Sequence, residues 1–225
     1  MNIIGIDPSL VSTAMSINGI YLFNYTKESY AMNKSSLNKW YKMCEQYVKY
    51  RWIEYDKIEN FTDSEIDKLN KYNILSDMVI EDIKNHIDPN EPIKIGIEGY
   101  SYSSAAGPLI DLVTYGTILR NKLLQLSPDI TIFPPSTLKL ESAKLTYPVV
   151  IEKKKEVWRN NNGVSGGKFT KHDMYCALTE NENLDDNWTS FLRQIKGDVF
   201  DSKVIKKPME DCNDAFLIYQ VLKNR

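Results

Sequence analysis

Histidine and cysteine are scarce in this chain: His86 and His172 are its two histidines, and Cys44, Cys176 and Cys212 its three cysteines. An odd number of thiols without a Cys-x-x-Cys pair gives neither a disulfide framework nor a thiolate zinc site. Two histidines far apart leave little material for imidazole-based metal or triad chemistry. Carboxylates must therefore carry most of any catalysis. Long apolar runs are missing too: none approaches the roughly 20 residues a membrane helix needs, and no basic region leads into an apolar signal segment. A cytoplasmic location is expected. Charge of one sign is also lacking, because 28 Lys and Arg stand against 30 Asp and Glu for a net −2. That balance argues against an unselective nucleic-acid binder, which carries a net basic surface.

The 225 residues, 42% apolar and 26% charged, suit a soluble globular protein, read here as one domain over 1–225 with insertions near 27–63 and 141–165. Residues 2–7, 11–17 and 20–25 read as a strand meander, with Asn18-Gly19 as a two-residue hairpin turn. Residues 27–63 show no clean period. The segment 64–87 carries Ile66, Leu69, Ile74, Met78 and Ile83 as a helical stripe behind an N-cap at Asp63 or Ser64, and Pro89 and Pro92 end it. Strand 93–98, helix 106–126, strand 130–135, helix 168–180, loop 180–187 and helix 209–222 follow. This order indicates an α/β protein whose mixed sheet is covered by helices. Charge is clustered locally: Lys139 to Lys171 holds eight Lys or Arg against three acids.

Two strands are built alike. "IGID" (4–7) and "IGIE" (95–98) each place two isoleucines on one face and a glycine and an acid on the other. The glycine two residues before each acid lets another element approach the acid's own face. The last helix is the candidate, since Asp211 and Asp214 lie three apart on the side that continues through Ala215, Ile218 and Leu222. Four carboxylates (Asp7, Glu98, Asp211, Asp214) aimed at one partly buried place repel one another and lose hydration, at several kcal/mol per ion, unless a cation compensates. Oxygen-only ligands select Mg²⁺ or Mn²⁺ over Zn²⁺. Two such ions about 3.5–4 Å apart can activate a water and stabilise the leaving oxygen of a phosphodiester.

The segments "GIDPSLVSTAMS", "IGIEGYSYSS", "FPPSTLKL", "GGKFTKHDMYCAL" and "EDCNDAFLIYQVL", in this order, resemble RuvC-type Holliday junction resolvases, especially their phage relatives, within the ribonuclease H-like superfamily. The resemblance covers most of the chain outside 27–63 and 141–165. It implies a ribonuclease H-like five-stranded mixed sheet flanked by helices, and a Mg²⁺-dependent endonuclease with two ions per active site. It further implies a homodimer that cuts four-way and other branched DNA in paired nicks, in a host cytoplasm if phage- or virus-encoded. By motif, Asp7, Glu98 and Asp214 resemble the metal-binding acids, with Asp211 as fourth ligand or base. Lys139, Lys168 and Lys171 resemble the family's basic residues, and with Lys144 they would meet DNA phosphates. Tyr100 and Tyr102 lie where bacterial members carry an aromatic that stacks on a base at the junction centre. The helix 106–126, with Leu109, Leu112, Val113, Gly116 and Leu119, resembles the dimer helix, and a plain core face explains those residues equally well.

Two other readings remain open on the sequence. An actin-like or sugar-kinase-type ATPase also leads its first strand into an acid and hairpin, but needs a duplicated domain and a Gly-rich adenosine loop. A noncatalytic junction-binding protein would have no need of four acids.

Overall fold

The computed structural model describes residues 1–33, 35–54, 58–100, 106–202 and 204–225, and their side chains except those of 35, 36, 106 and 107. The chain begins with β1 (Asn2–Asp7), β2 (Ser12–Ile17) and β3 (Tyr21–Thr26), an antiparallel meander. Asn18 and Gly19, at φ 54° and 68°, make the tight turn between β2 and β3. In this left-handed region Asn and Gly are the residues that fit most easily, so the sequence pair dictates the turn.

Described residues of the stretch without a sequence period do take up regular structure. They form α1 (Glu28–Met32), α2 (Ser35–Cys44) and β4 (Val48–Trp52), and β4 pairs parallel with β3. After α3 (Phe61–His86) come β5 (Ile93–Glu98), α4 (Ala106–Leu126) and β6 (Ile130–Phe133), with β5 parallel to both β1 and β6. The sheet order is β4-β3-β2-β1-β5-β6. The sheet is mixed, as expected, and has six strands, one more than the five expected of a ribonuclease H-like arrangement. Lys49 and Arg51 alternate with Val48, Tyr50 and Trp52 along the added edge strand, a pattern that suits a sheet margin. Arg51 Nε and Tyr25 Oη both donate to the buried Asp82 of α3, each at 2.9 Å, tying this edge to the helix behind it.

The second half contains α5 (Pro135–Thr146), the ribbon β7 (Val149–Glu152) and β8 (Lys155–Trp158), a 3-10 turn at Gly166–Lys168, α6 (Lys171–Thr179), α7 (Asn187–Gln194), α8 (Lys196–Asp201) and α9 (Met209–Lys223). The helix expected over 168–180 is thus divided between the 3-10 turn and α6. Pro134-Pro135 does end β6, yet Pro135 opens α5, because proline's missing N–H is harmless in a first turn.

The sheet separates two cores. Ile4, Ile6, Ile95 and Ile97 face α3 and α4, whereas α9 crosses the opposite face and packs with residues of α5, α6 and α7. The expected face of α3 is corrected. Tyr72, Leu75, Val79 and Ile83 are buried, while Ile66, Leu69 and Ile74 are exposed. Spacings of three, four and four keep the buried set on one stripe, whereas the expected positions spread around the helix. Its N-cap is Asn60, whose side chain accepts from the Asp63 amide at 3.1 Å, not Asp63 or Ser64. On α4, Tyr115, Leu119 and Leu123 face the core and Ile110 and Val113 are exposed. No helix among the described residues is long and apolar enough to cross a membrane.

Candidate active site

β1 and β5 run parallel with Ile6 beside Ile97, so Asp7 and Glu98 emerge together at the same end of the sheet. α9 brings in the third acid, and glycine is the reason it can lie so close. A β-carbon at Gly5 would press into the Ala215 carbonyl oxygen and come 2.6 Å from the Tyr219 amide nitrogen. One at Gly96 would meet Ile218 Cγ2 at 2.5 Å and Leu222 Cδ1 at 2.7 Å. These two bare positions let the helix backbone rest on the sheet and set Asp214 over the strand ends.

Carboxylate oxygens of Asp7, Glu98 and Asp214 all lie within 4.8 Å of one another. Asp7 and Asp214 are buried, Glu98 partly so. Burial pushes the Asp7 carboxyl well above its ordinary range, and repulsion from Glu98, Asp214 and Asp211 adds to this. Burial, then the Asp214 charge, raises Glu98 to about 7, against a partial opposing effect of Lys171. Asp214 is raised by burial and held back by Lys171.

Lys171 is the cation inside the cluster. Its Nζ donates to Asp214 in a short ion pair and lies 3.7 Å from Glu210. Burial alone would lower the Lys171 ammonium, but the charges of Asp214, Asp7 and Glu98 outweigh it and hold the group above its usual range. The residue is aimed by a capping box. Thr170 and Asp173 exchange side-chain and backbone hydrogen bonds at the start of α6, and Asp173 also accepts from Asn160 Nδ2 at 2.6 Å. With all groups ionised, the three carboxylates outnumber the one ammonium set among them, and Glu210 beside Lys171 adds to the negative excess. The donor set fits a hard divalent cation: it is all oxygen, crowded, and under-compensated by the protein itself.

Asp211 is buried like Asp214 but does not join the trio. It turns to Lys207, whose Nζ donates to both its oxygens at 2.9 and 3.1 Å. Lys207 and Glu210 escaped the sequence reading; the signal available for Lys207 was its place four residues before Asp211, one helical turn away. Lys139 lines a cleft of about 270 Å³ beside Glu98, together with Pro8, Gly99, Pro135 and Lys171. Lys168 is exposed at the end of the 3-10 turn. Lys144 is engaged by Glu141 at 2.9 Å and lies 4.9 Å from the Trp158 ring centre. Tyr100 packs edge-on against Gly116, donates to the Val113 carbonyl at 3.3 Å, and carries the Arg120 guanidinium 4.2 Å from its ring centre. Tyr102 lies outside the described residues.

No family model matches the sequence. No curated protein matches it either. Two solved Thermus thermophilus structures are similar in shape. RuvC in complex with a Holliday junction substrate is 7% identical, with a TM-score of 0.49, over 100% of this chain and 95% of that one. A second RuvC structure is 8% identical, with a TM-score of 0.45, over 100% and 96%.

Proposed function

We propose that this protein is a divalent-metal-dependent endonuclease that hydrolyses phosphodiesters in branched DNA, four-way junctions foremost. The observation that carries the reading is the convergence of Asp7, Glu98 and Asp214 from two parallel strands and a crossing helix, with oxygens within 4.8 Å and raised proton affinity. Such an arrangement is costly without a cation and gains stability with one.

Asp7, Glu98 and Asp214 would hold Mg²⁺, with Mn²⁺ as substitute and two ions in the complete site. When bound, the metal supplies an activated water and charge neutralisation for the phosphate. The remaining work falls to the chain. Lys171, released from Asp214 once that carboxylate is otherwise compensated, is placed to donate to a phosphate oxygen. Lys139 at the cleft and Lys168 at its approach bind the flanking backbone, a contact that positions without reading sequence. Lys207 occupies Asp211 and so keeps that acid oriented beside the trio. The exposed Ile110 and Val113 on α4 are the surface through which two copies would pair, giving two coordinated nicks. The ATPase alternative needs a second strand-acid-hairpin unit, and the described residues contain one six-stranded sheet and one two-stranded ribbon.

The test is to incubate the protein and Mg²⁺ with a four-way junction, a flap, a duplex and an RNA–DNA hybrid side by side, with Asp7→Asn as control. Metal-dependent nicking of the branched DNAs, absent in the control, is expected. ATP hydrolysis without nicking would overturn the reading.

A further inference from the structure

The ribbon β7–β8 is not explained by the catalytic centre. Val149 pairs with Trp158 and Glu152 with Lys155, which leaves Lys153 and Lys154 as a two-residue turn at φ 47° and 64°. The turn between β2 and β3 has the same left-handed geometry and uses Asn-Gly, the pair that adopts it most easily. At the ribbon tip the chain instead places two lysines in a conformation unfavourable to them, and a third, Lys155, follows. A backbone outlier that the surrounding structure sustains points toward function.

The exposed Lys153, Lys154 and Lys155 at this tip form no ion pair among the described residues, and the ribbon's two acids are Glu152 and the exposed Glu156. The nearby Glu152 is occupied by Arg159, which donates to its two oxygens at 2.6 and 2.7 Å. The ribbon is also indexed to the catalytic cluster. Its last strand runs into Asn160, whose side chain caps the following turn at Asn162 and Val164 and donates to Asp173. Asp173 in turn fixes the start of α6, where Lys171 reaches Asp214. A two-stranded ribbon with a cationic tip is therefore linked through Asn160 and Asp173 to the acids, within an otherwise acidic protein.

From this we infer that the β7–β8 ribbon is a second DNA-backbone contact, in which Lys153 and Lys154 grip phosphates away from the scissile one and set the path of the arm they hold. The inference rests on the nuclease reading above. Charge complementarity selects the occupant: three exposed ammonium groups grouped at one ribbon tip match a polyanionic backbone.

The test is the salt dependence of four-way junction binding, measured by fluorescence anisotropy in EDTA between 50 and 200 mM KCl. The double variant Lys153→Asn/Lys154→Gly keeps the turn, since it installs the residues this backbone favours, and removes two charges. Each lost phosphate contact lowers the slope of log K against log salt by about 0.9, so over that range the wild type loses about 12-fold more affinity than the variant. Lys153→Arg/Lys154→Arg retains the wild-type slope. An unchanged slope in the Asn-Gly variant of a wild type that binds and cuts overturns the ribbon contact alone. A wild type that binds no DNA overturns this inference and the nuclease reading together. Exposed Val150 and Ile151 offer the rival occupant, a second protein; an unchanged slope with a dimer broken by Ile151→Asp would assign the ribbon to that role and refute the DNA contact.

Discussion

Replacing Glu98 with glutamine should stabilise the metal-free protein. In the folded chain this carboxyl is raised from 4.5 to about 7, by burial first and by the Asp214 charge second. The folded state therefore binds its proton more tightly than the unfolded state does. That contribution to stability is fully present below pH 4.5 and is lost as pH rises through about 7. A gap between 4.5 and about 7, at 1.36 kcal/mol per unit, makes the penalty of ionised Glu98 about 1 kcal/mol at pH 5 and about 3 kcal/mol at pH 8. Glutamine has nearly the same shape and never ionises. In a domain of this size each kcal/mol moves Tm by about 2–4 °C, so Glu98→Gln should melt about 6–12 °C above wild type at pH 8 in EDTA, and little above it at pH 5. Mg²⁺ reverses the order: at 100 times its Kd it would add about 2.7 kcal/mol to wild type, and far less to the variant that lacks a ligand. Scanning calorimetry with EDTA or Mg²⁺ at both pH values reads all four states. A variant that melts below wild type at pH 8 without metal would refute the reasoning that these acids are crowded against one another.

Other outcomes follow from the same geometry. Asp7→Asn should reduce cleavage to background yet leave junction binding within a few-fold, checked by gel-shift and nicking assays on the same preparation. Gly5→Ala forces a β-carbon into the Ala215 carbonyl, and overpacking of this kind costs about 1–3 kcal/mol. Because the clash lifts α9, nicking should fall more than stability does, which parallel melting and activity measurements would show. Thr170→Ala removes the capping box that aims Lys171, with a loss of about 1 kcal/mol and a weakened but measurable nicking rate. Lys168→Ala should weaken junction binding and lower the salt slope by about 0.9 without changing Tm.

The sheet centre and the trio were legible because their signals are local. Alternation in "IGID" and "IGIE" assigns the isoleucines to one core and leaves the glycines and acids on the face that α9 crosses. The Asn-Gly turn likewise follows from two residues. What was not legible depends on partners distant in sequence. β4 is a short edge strand whose alternation was obscured by the polar segment around it, and it becomes a strand by pairing with β3. α3 offers apolar residues on more than one side, and only the sheet beneath decides that Tyr72 and Val79, not Ile66 and Ile74, are buried. Asp211 illustrates the limit within the site. Its spacing from Asp214 places it on the right side of the helix, but a lysine one turn earlier takes it as an ion-pair partner. The ribbon lysines were visible as a basic cluster, while the turn that displays them is a property of the backbone.

Diffraction from crystals soaked in Mn²⁺, recorded at the manganese absorption edge, tests the central claim most directly. An anomalous peak bounded by Asp7, Glu98 and Asp214, with Lys171 drawn away from Asp214, is the result this account predicts. Crystals that take up no manganese at those carboxylates, with Lys171 still paired to Asp214 at millimolar metal, would contradict it.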